Sequence, residues 1–207
     1  MYKHLFLLIS ILFSLSSPCV HAERYYFQHL GLKNKLSQSS VLCITQDRNG
    51  FMWFGTKDGL NRYDGSNFRI FKHNHSNPHS LGNNNVNSLH ENKDGKLWIG
   101  TDDGIYIYDP LTETFSKLTC KSQDSLCITQ PIVQITDTQK NIWIAVESQG
   151  VFLFDNDRQT LTHYAIPDAH LLSSICIDQQ NAVWIGYNGK GLYYTDDHFQ
   201  NFRLFQT

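Results

Sequence analysis

The side chains best suited by type and spacing to do chemistry fall in pairs, one pair per repeating unit: Lys57 and Asp58, Asp102 and Asp103, Glu147 and Gln149, Asn188 and Lys190. Carboxylates, amides and ammonium groups of this kind can hydrogen-bond the hydroxyls of a sugar. The same residue types also suit solvated turns, and Tyr187 is the one aromatic nearby that could stack on a ligand. Other chemistry finds little support. No Gly-x-Ser-x-Gly, HExxH or P-loop pattern occurs, so no catalytic residue is assigned. The stretch His73-Asn74-His75-Ser76-Asn77-Pro78-His79 is His-rich, but its Asn and Ser content reads as a polar loop. Asp102 and Asp103 fall short of the about six oxygens that calcium takes. No metal and no cofactor is expected.

These pairs are positioned by a phrase that recurs four times. It reads Gly50-Phe51-Met52-Trp53-Phe54-Gly55-Thr56, then Gly95-Lys96-Leu97-Trp98-Ile99-Gly100-Thr101, with weaker copies around Trp143 and Trp184. The four tryptophans stand 45, 45 and 41 residues apart. A period of about 40–45 residues with one such phrase per unit marks a β-propeller blade. In each unit an apolar run is followed by a polar turn, the Trp strand, a glycine that opens a third strand, and a fourth strand. The first strand, being most apolar, belongs nearest the central axis. The Trp wedges between blades, and the small residue two places on (Gly55, Gly100, Ala145, Gly186) allows close backbone approach. An aromatic follows the third-strand glycine as Tyr63, Tyr108 and Phe154, whereas the fourth unit has Thr195 there, which predicts an irregular third strand.

The expected fold is therefore all-β, a propeller with four blades of four antiparallel strands at about 37–72, 82–118, 130–164 and 171–205. Tyr25 to Leu30 resembles a fourth strand without its first three. It is expected to close the last blade of a larger, seven-bladed ring, of which residues 23–207 form part. Four blades fall short of the roughly 300 residues of a full ring, so the chain is expected to be a fragment.

The N-terminus has Lys3, an apolar run from Leu5 to Leu15 and a small-x-small site at Val20-His21-Ala22, the pattern of a secretory signal peptide over 1–22. Removing Lys3 leaves 16 basic against 19 acidic side chains. No basic patch tracks phosphates, which argues against nucleic acid as a partner. In an oxidising compartment Cys120 and Cys127 could close a disulfide within one loop, while Cys43 and Cys176 read as buried packing residues.

The segment from Leu36 through Trp53 to Gly65 resembles the opening of the two-component regulator propeller family, and Asn85 through Asp109 matches almost as well. Units three and four depart from the pattern, with Ala145-Val146 and Gly186-Tyr187 in place of Gly-Thr. The resemblance implies the periplasmic sensor region of a hybrid two-component histidine kinase, anchored in the inner membrane and dimeric at full length. It implies oligosaccharides as ligands and further propeller and sensor domains downstream. The alternatives left open are an exported propeller enzyme, a lyase or hydrolase, and a structural or adhesion scaffold.

Overall fold

The structure, a computed structural model, describes residues 26–119, 128–138, 141–196, 199 and 201–205. The signal-peptide region and both Cys120 and Cys127 lie outside the described residues. Blade one comprises β1 (Val41–Gln46), β2 (Met52–Thr56), β3 (Gly59–Tyr63) and β4 (Phe68–Phe71). Blade two comprises β5 (Val86–Glu91), β6 (Leu97–Thr101), β7 (Gly104–Asp109) and β8 (Thr114–Lys117). Blade three has β9 (Ile132–Asp137), β10 (Asn141–Val146), β11 (Gly150–Asp155) and β12 (Thr160–Tyr164). Blade four has β13 (Leu172–Ile177), β14 (Val183–Tyr187), β15 (Gly191–Thr195) and β16 (Arg203–Phe205). Each blade is an antiparallel meander in sequence order.

The first strands β1, β5, β9 and β13 lie side by side, as expected of the strands nearest the axis. Each carries a one-residue bulge, at Leu42, Asn87, Val133 and Ser173. Bulges increase local twist. The first strand is also the edge of its blade, so alternate backbone groups lack a partner strand, and two of these are used between blades: the Ile135 N–H donates to Ser88 Oγ at 2.9 Å, and the Ile175 N–H donates to Gln134 Oε1 at 3.0 Å. At the rim, Arg48 of blade one reaches the blade-two hairpin, donating to Glu91 Oε1 at 2.8 Å and to the Asn92 and Lys93 carbonyls.

The cores lie between blades. Trp53 packs on Tyr108 of blade two at 5.2 Å between ring centroids, and Trp98 packs on Phe154 of blade three at 5.1 Å. Each of these two tryptophans thus meets the third-strand aromatic of the following blade, burying on the order of 200 Å². The small residue beside it is a steric requirement. A Cβ at Gly100 would stand 2.5 Å from Ile132 Cγ2, and one at Gly55 would stand 2.6 Å from Val86 Cγ1. Gly59, Gly104 and Gly150 open the third strands with φ between 99° and 115°, a region that L side chains rarely adopt.

Each described blade takes its four strands from its own unit, and Tyr26 to Leu30 pair with none of them. Two expectations are corrected. The third strand of blade four is regular: β15 pairs along its full length with β14, and Thr195 simply occupies the aromatic position opposite Val183. Cys176 is exposed rather than buried, since it lies on the trailing face of blade four, which no described residue covers.

Candidate functional site

In a meander, the turns between second and third strands share one end of the blade with the connections from one blade to the next. The candidate residues all fall in these turns. Thr56 and Thr101 build them: each Oγ1 donates to the carbonyl of the glycine three residues on, Gly59 or Gly104, and accepts the N–H of Asp58 or Asp103. In blades three and four the turn backbone is tied to the connection, with the Glu147 N–H donating to the Pro131 carbonyl and the Asn188 N–H to Leu171.

Five of the eight candidate side chains are engaged within the protein. Asp58 pairs with Lys72 at 2.6 Å, and Asp103 pairs with Lys117 at 2.8 Å while accepting the Tyr106 hydroxyl. The hydrogen bond from Lys117 is the main cause that holds the Asp103 carboxyl below its ordinary range. Asp102 accepts the amides of Asn85 and Asn87 at 2.7 and 2.8 Å. Gln149 Oε1 caps the N–H groups of Thr129 and Gln130, and Lys190 pairs with Asp168 at 2.5 Å. Tyr187 is buried, its hydroxyl pushed up to about 12 chiefly by that burial, and it packs edge-on against Tyr193. It is therefore not available to stack on a ligand. Lys57, Glu147 and Asn188 are exposed, and no side-chain partner is found for them among the described residues. Together with Asp102 they occupy the same turn position, four residues after each tryptophan, and form one row across the blades.

In the His-rich connection, His73 Nδ1 contacts the Leu81 carbonyl and its Nε2 contacts His75 Nδ1 at 3.1 Å. Two imidazoles that bond each other directly leave no shared position for a metal, and no cluster of three or more potential ligands occurs among the described residues.

The fold and the repeat define the class: a β-propeller built of four-stranded antiparallel blades. Residues 35–58 and 80–103 match the two component regulator propeller model, and the chain carries the repeat of that family. A relative, Histidine kinase P4 of Formosa agariphila, is 42% identical over 66 residues, which are 31% of this chain and 5% of that protein. The extracellular domain of a putative hybrid two component system from B. thetaiotaomicron superposes with a TM-score of 0.67 at 23% identity, covering 80% of this chain and 24% of that one. A second such domain from the same organism gives 0.55 at 22%, covering 85% and 31%. Virginiamycin B lyase from Staphylococcus aureus gives 0.60 at 13%, covering 81% and 56%, a likeness of fold alone. The chain thus spans 5% of the histidine kinase and less than a third of the two sensor domains.

Proposed function

We propose that this chain is ligand-sensing propeller from the periplasmic region of a two-component sensor, and that its ligand is an oligosaccharide. The match of blades one and two to the regulator propeller repeat carries this reading. No helix among the described residues is long and apolar enough to cross a membrane. In this reading the segment before Glu23 directs export, and further blades complete a seven-bladed ring. A membrane-anchored histidine kinase, dimeric at full length, follows in the parent protein. Lys57, Glu147 and Asn188, with exposed side chains on one end of the blades, are the residues to meet the ligand there. A ligand drives signalling only by binding one arrangement of propellers or protomers better than another.

An oligosaccharide array probed with the exported chain tests this. Selective capture of a glycan class, weakened in a Lys57→Ala, Glu147→Ala, Asn188→Ala triple variant, is expected. Absence of any glycan binding would overturn the ligand assignment, and full binding by the triple variant would overturn the assignment of residues.

A further inference from the structure

Blade two departs from the other blades where its first strand begins, at the end that carries the candidate turns. The bulge residue of β5 is Asn87, where the other first strands have Leu42, Val133 and Ser173. The residue just before β5 is Asn85, where the others have Ser40, Pro131 and Leu171. A bulge residue is unpaired in the ladder, and its side chain is re-aimed. Both asparagines donate to one carboxylate: Asn87 to Asp102 Oδ1 at 2.8 Å, and Asn85 to Asp102 Oδ2 at 2.7 Å. The connection that carries Asn85 is pinned in turn. Asn83 Oδ1 accepts the Asn85 N–H at 2.8 Å. The neighbouring Asn84 accepts the Gly59 N–H on its carbonyl and the His73 N–H on its Oδ1, both at 2.7 Å. Asn85 Oδ1 is buried without a partner, so this amide is set for the carboxylate rather than for its own satisfaction.

We infer that Asp102, held by Asn85 and Asn87, is the anchor of the ligand site and takes a vicinal diol, one hydroxyl on each carboxylate oxygen. A carboxylate offers about four acceptor positions, and the asparagines occupy one on each oxygen. One position per oxygen remains, side by side, which suits hydroxyls on adjacent carbons. Asp58, Asp103 and Asp168 at the same end are each paired with a lysine. Asp102 is exposed, and its partners among the described residues are neutral amides, so its charge still strengthens any further hydrogen bond it accepts. Because the amides fix the carboxylate before a ligand arrives, less freedom is lost on binding. A cation fits less well. The asparagines turn their N–H groups toward the carboxylate, which leaves calcium far short of about six oxygens. Lys57, at the same turn position of blade one, disfavours an ammonium ligand. The choice of a sugar as bearer of the diol rests on the sensor reading above. Asn85 and Asn87 are positioning residues that act through Asp102.

Saturation-transfer NMR titrations of the exported chain with the methyl glycosides of mannose, galactose, glucose and xylose test the inference. Four forms are compared with the parent: Asp102→Asn, which keeps the shape and removes the charge; Asn87→Ala, which removes one donor; the double variant of these; and Asp103→Asn, whose carboxylate is engaged by Lys117 and Tyr106. The expected result is transfer to at least one glycoside, weakened about tenfold in affinity by Asp102→Asn and by less in Asn87→Ala. The double variant should be no weaker than Asp102→Asn alone, because Asn87 acts through the carboxylate. Asp103→Asn should keep the parent affinity. Transfer that Asp102→Asn leaves unchanged overturns the anchor while leaving the sensor reading intact. Additive losses in the double variant overturn the positioning role of Asn87. Calorimetric binding of calcium chloride or spermidine that Asp102→Asn abolishes overturns the diol in favour of a cation. No transfer to any of the glycosides overturns the diol site, and the oligosaccharide array then decides the sensor reading separately. Should Asp102→Asn fail to fold, Asn87→Ala alone carries the decision.

Discussion

Asp47 ties Trp53 to its own hairpin through the two oxygens of one carboxylate. Its Oδ2 accepts the indole N–H at 2.7 Å, while Oδ1 accepts the backbone N–H groups of Asn49 and Phe51 and so shapes the hairpin. Asp178 repeats the arrangement with Trp184, Gln180 and Ala182. In blade two Asn92 keeps the turn-forming half, accepting from Asp94 and Lys96, but its amide nitrogen cannot accept, and the buried Trp98 Nε1 is left without a partner. Asp47→Asn should therefore cost about 1–2 kcal/mol, the range for orphaning a buried donor. Asn92→Asp should gain about 1 kcal/mol when combined with Asp94→Asn, which removes a neighbouring like charge. Urea denaturation of the two variants decides this, and equal midpoints for parent and Asp47→Asn would refute the shared role of the carboxylate.

Close approach of blades makes a second prediction. Gly100→Ala should destabilise by about 1–3 kcal/mol, the usual cost of overpacking, because its Cβ would fall 2.5 Å from Ile132 Cγ2 and 2.7 Å from Ile132 Cβ. Ile132→Ala removes Cγ2, the nearest clashing atom, so it should cost less in the Gly100→Ala background than in the parent. Thermal melts of the single and double variants are the check. A Gly100→Ala protein as stable as the parent would mean that the blades can move apart at no cost.

Stability should depend on pH at both extremes. Asp103 lies below the ordinary aspartate value of 3.8 mainly through Lys117, Asp178 through the Trp184 indole, and Asp64 and Asp155 through backbone N–H groups of their turns. A depressed carboxyl contributes stability that is complete above the unfolded value and is lost as pH falls through the folded one. The melting temperature should thus be level down to about pH 5 and decline below about pH 4. Tyr106 and Tyr187 are pushed from 10.0 up to about 12, chiefly by burial. The folded state keeps those protons longer, so a second decline should set in above pH 10. A melting temperature unchanged between pH 3 and pH 7 would remove the carboxylates from this account.

What could be read from the chain alone divides by distance along it. The tryptophans, the turn glycines and the four strands per blade are local patterns repeated in register, and the structure has them where the repeat puts them. The aspartates six residues before Trp53 and Trp184 were also visible, as were two acid–lysine pairs at the same spacing of 14, Asp58 with Lys72 and Asp103 with Lys117. That shared spacing was the signal that these turn carboxylates have partners at the end of the fourth strand. Contacts that depend on how one blade sits on the next were not legible. Arg48 with Glu91, the Ile135 N–H on Ser88, and Phe199 as the ring that meets Trp143 all require the inter-blade register.

The Ser88 bond offers the sharpest test of how the blades are joined near the axis. Ser88 and Gln134 occupy equivalent positions, each facing the small residue of its second strand, Gly100 or Ala145. Each accepts an N–H from the first strand of the following blade. The bond to Ile135 is buried, whereas that to Ile175 is partly open to water. Ser88→Ala should therefore strand a buried N–H at a cost of about 1–3 kcal/mol. Gln134→Ala should cost less, because water can replace the lost acceptor. Hydrogen exchange gives a readout that a general loss of packing would not mimic. The Ile135 amide should lose protection in Ser88→Ala more than its neighbours on β9, and the Ile175 amide should do so in Gln134→Ala. Uniform loss of protection along both strands would mean that these side chains only fill space, and that the blades are joined by their apolar faces alone.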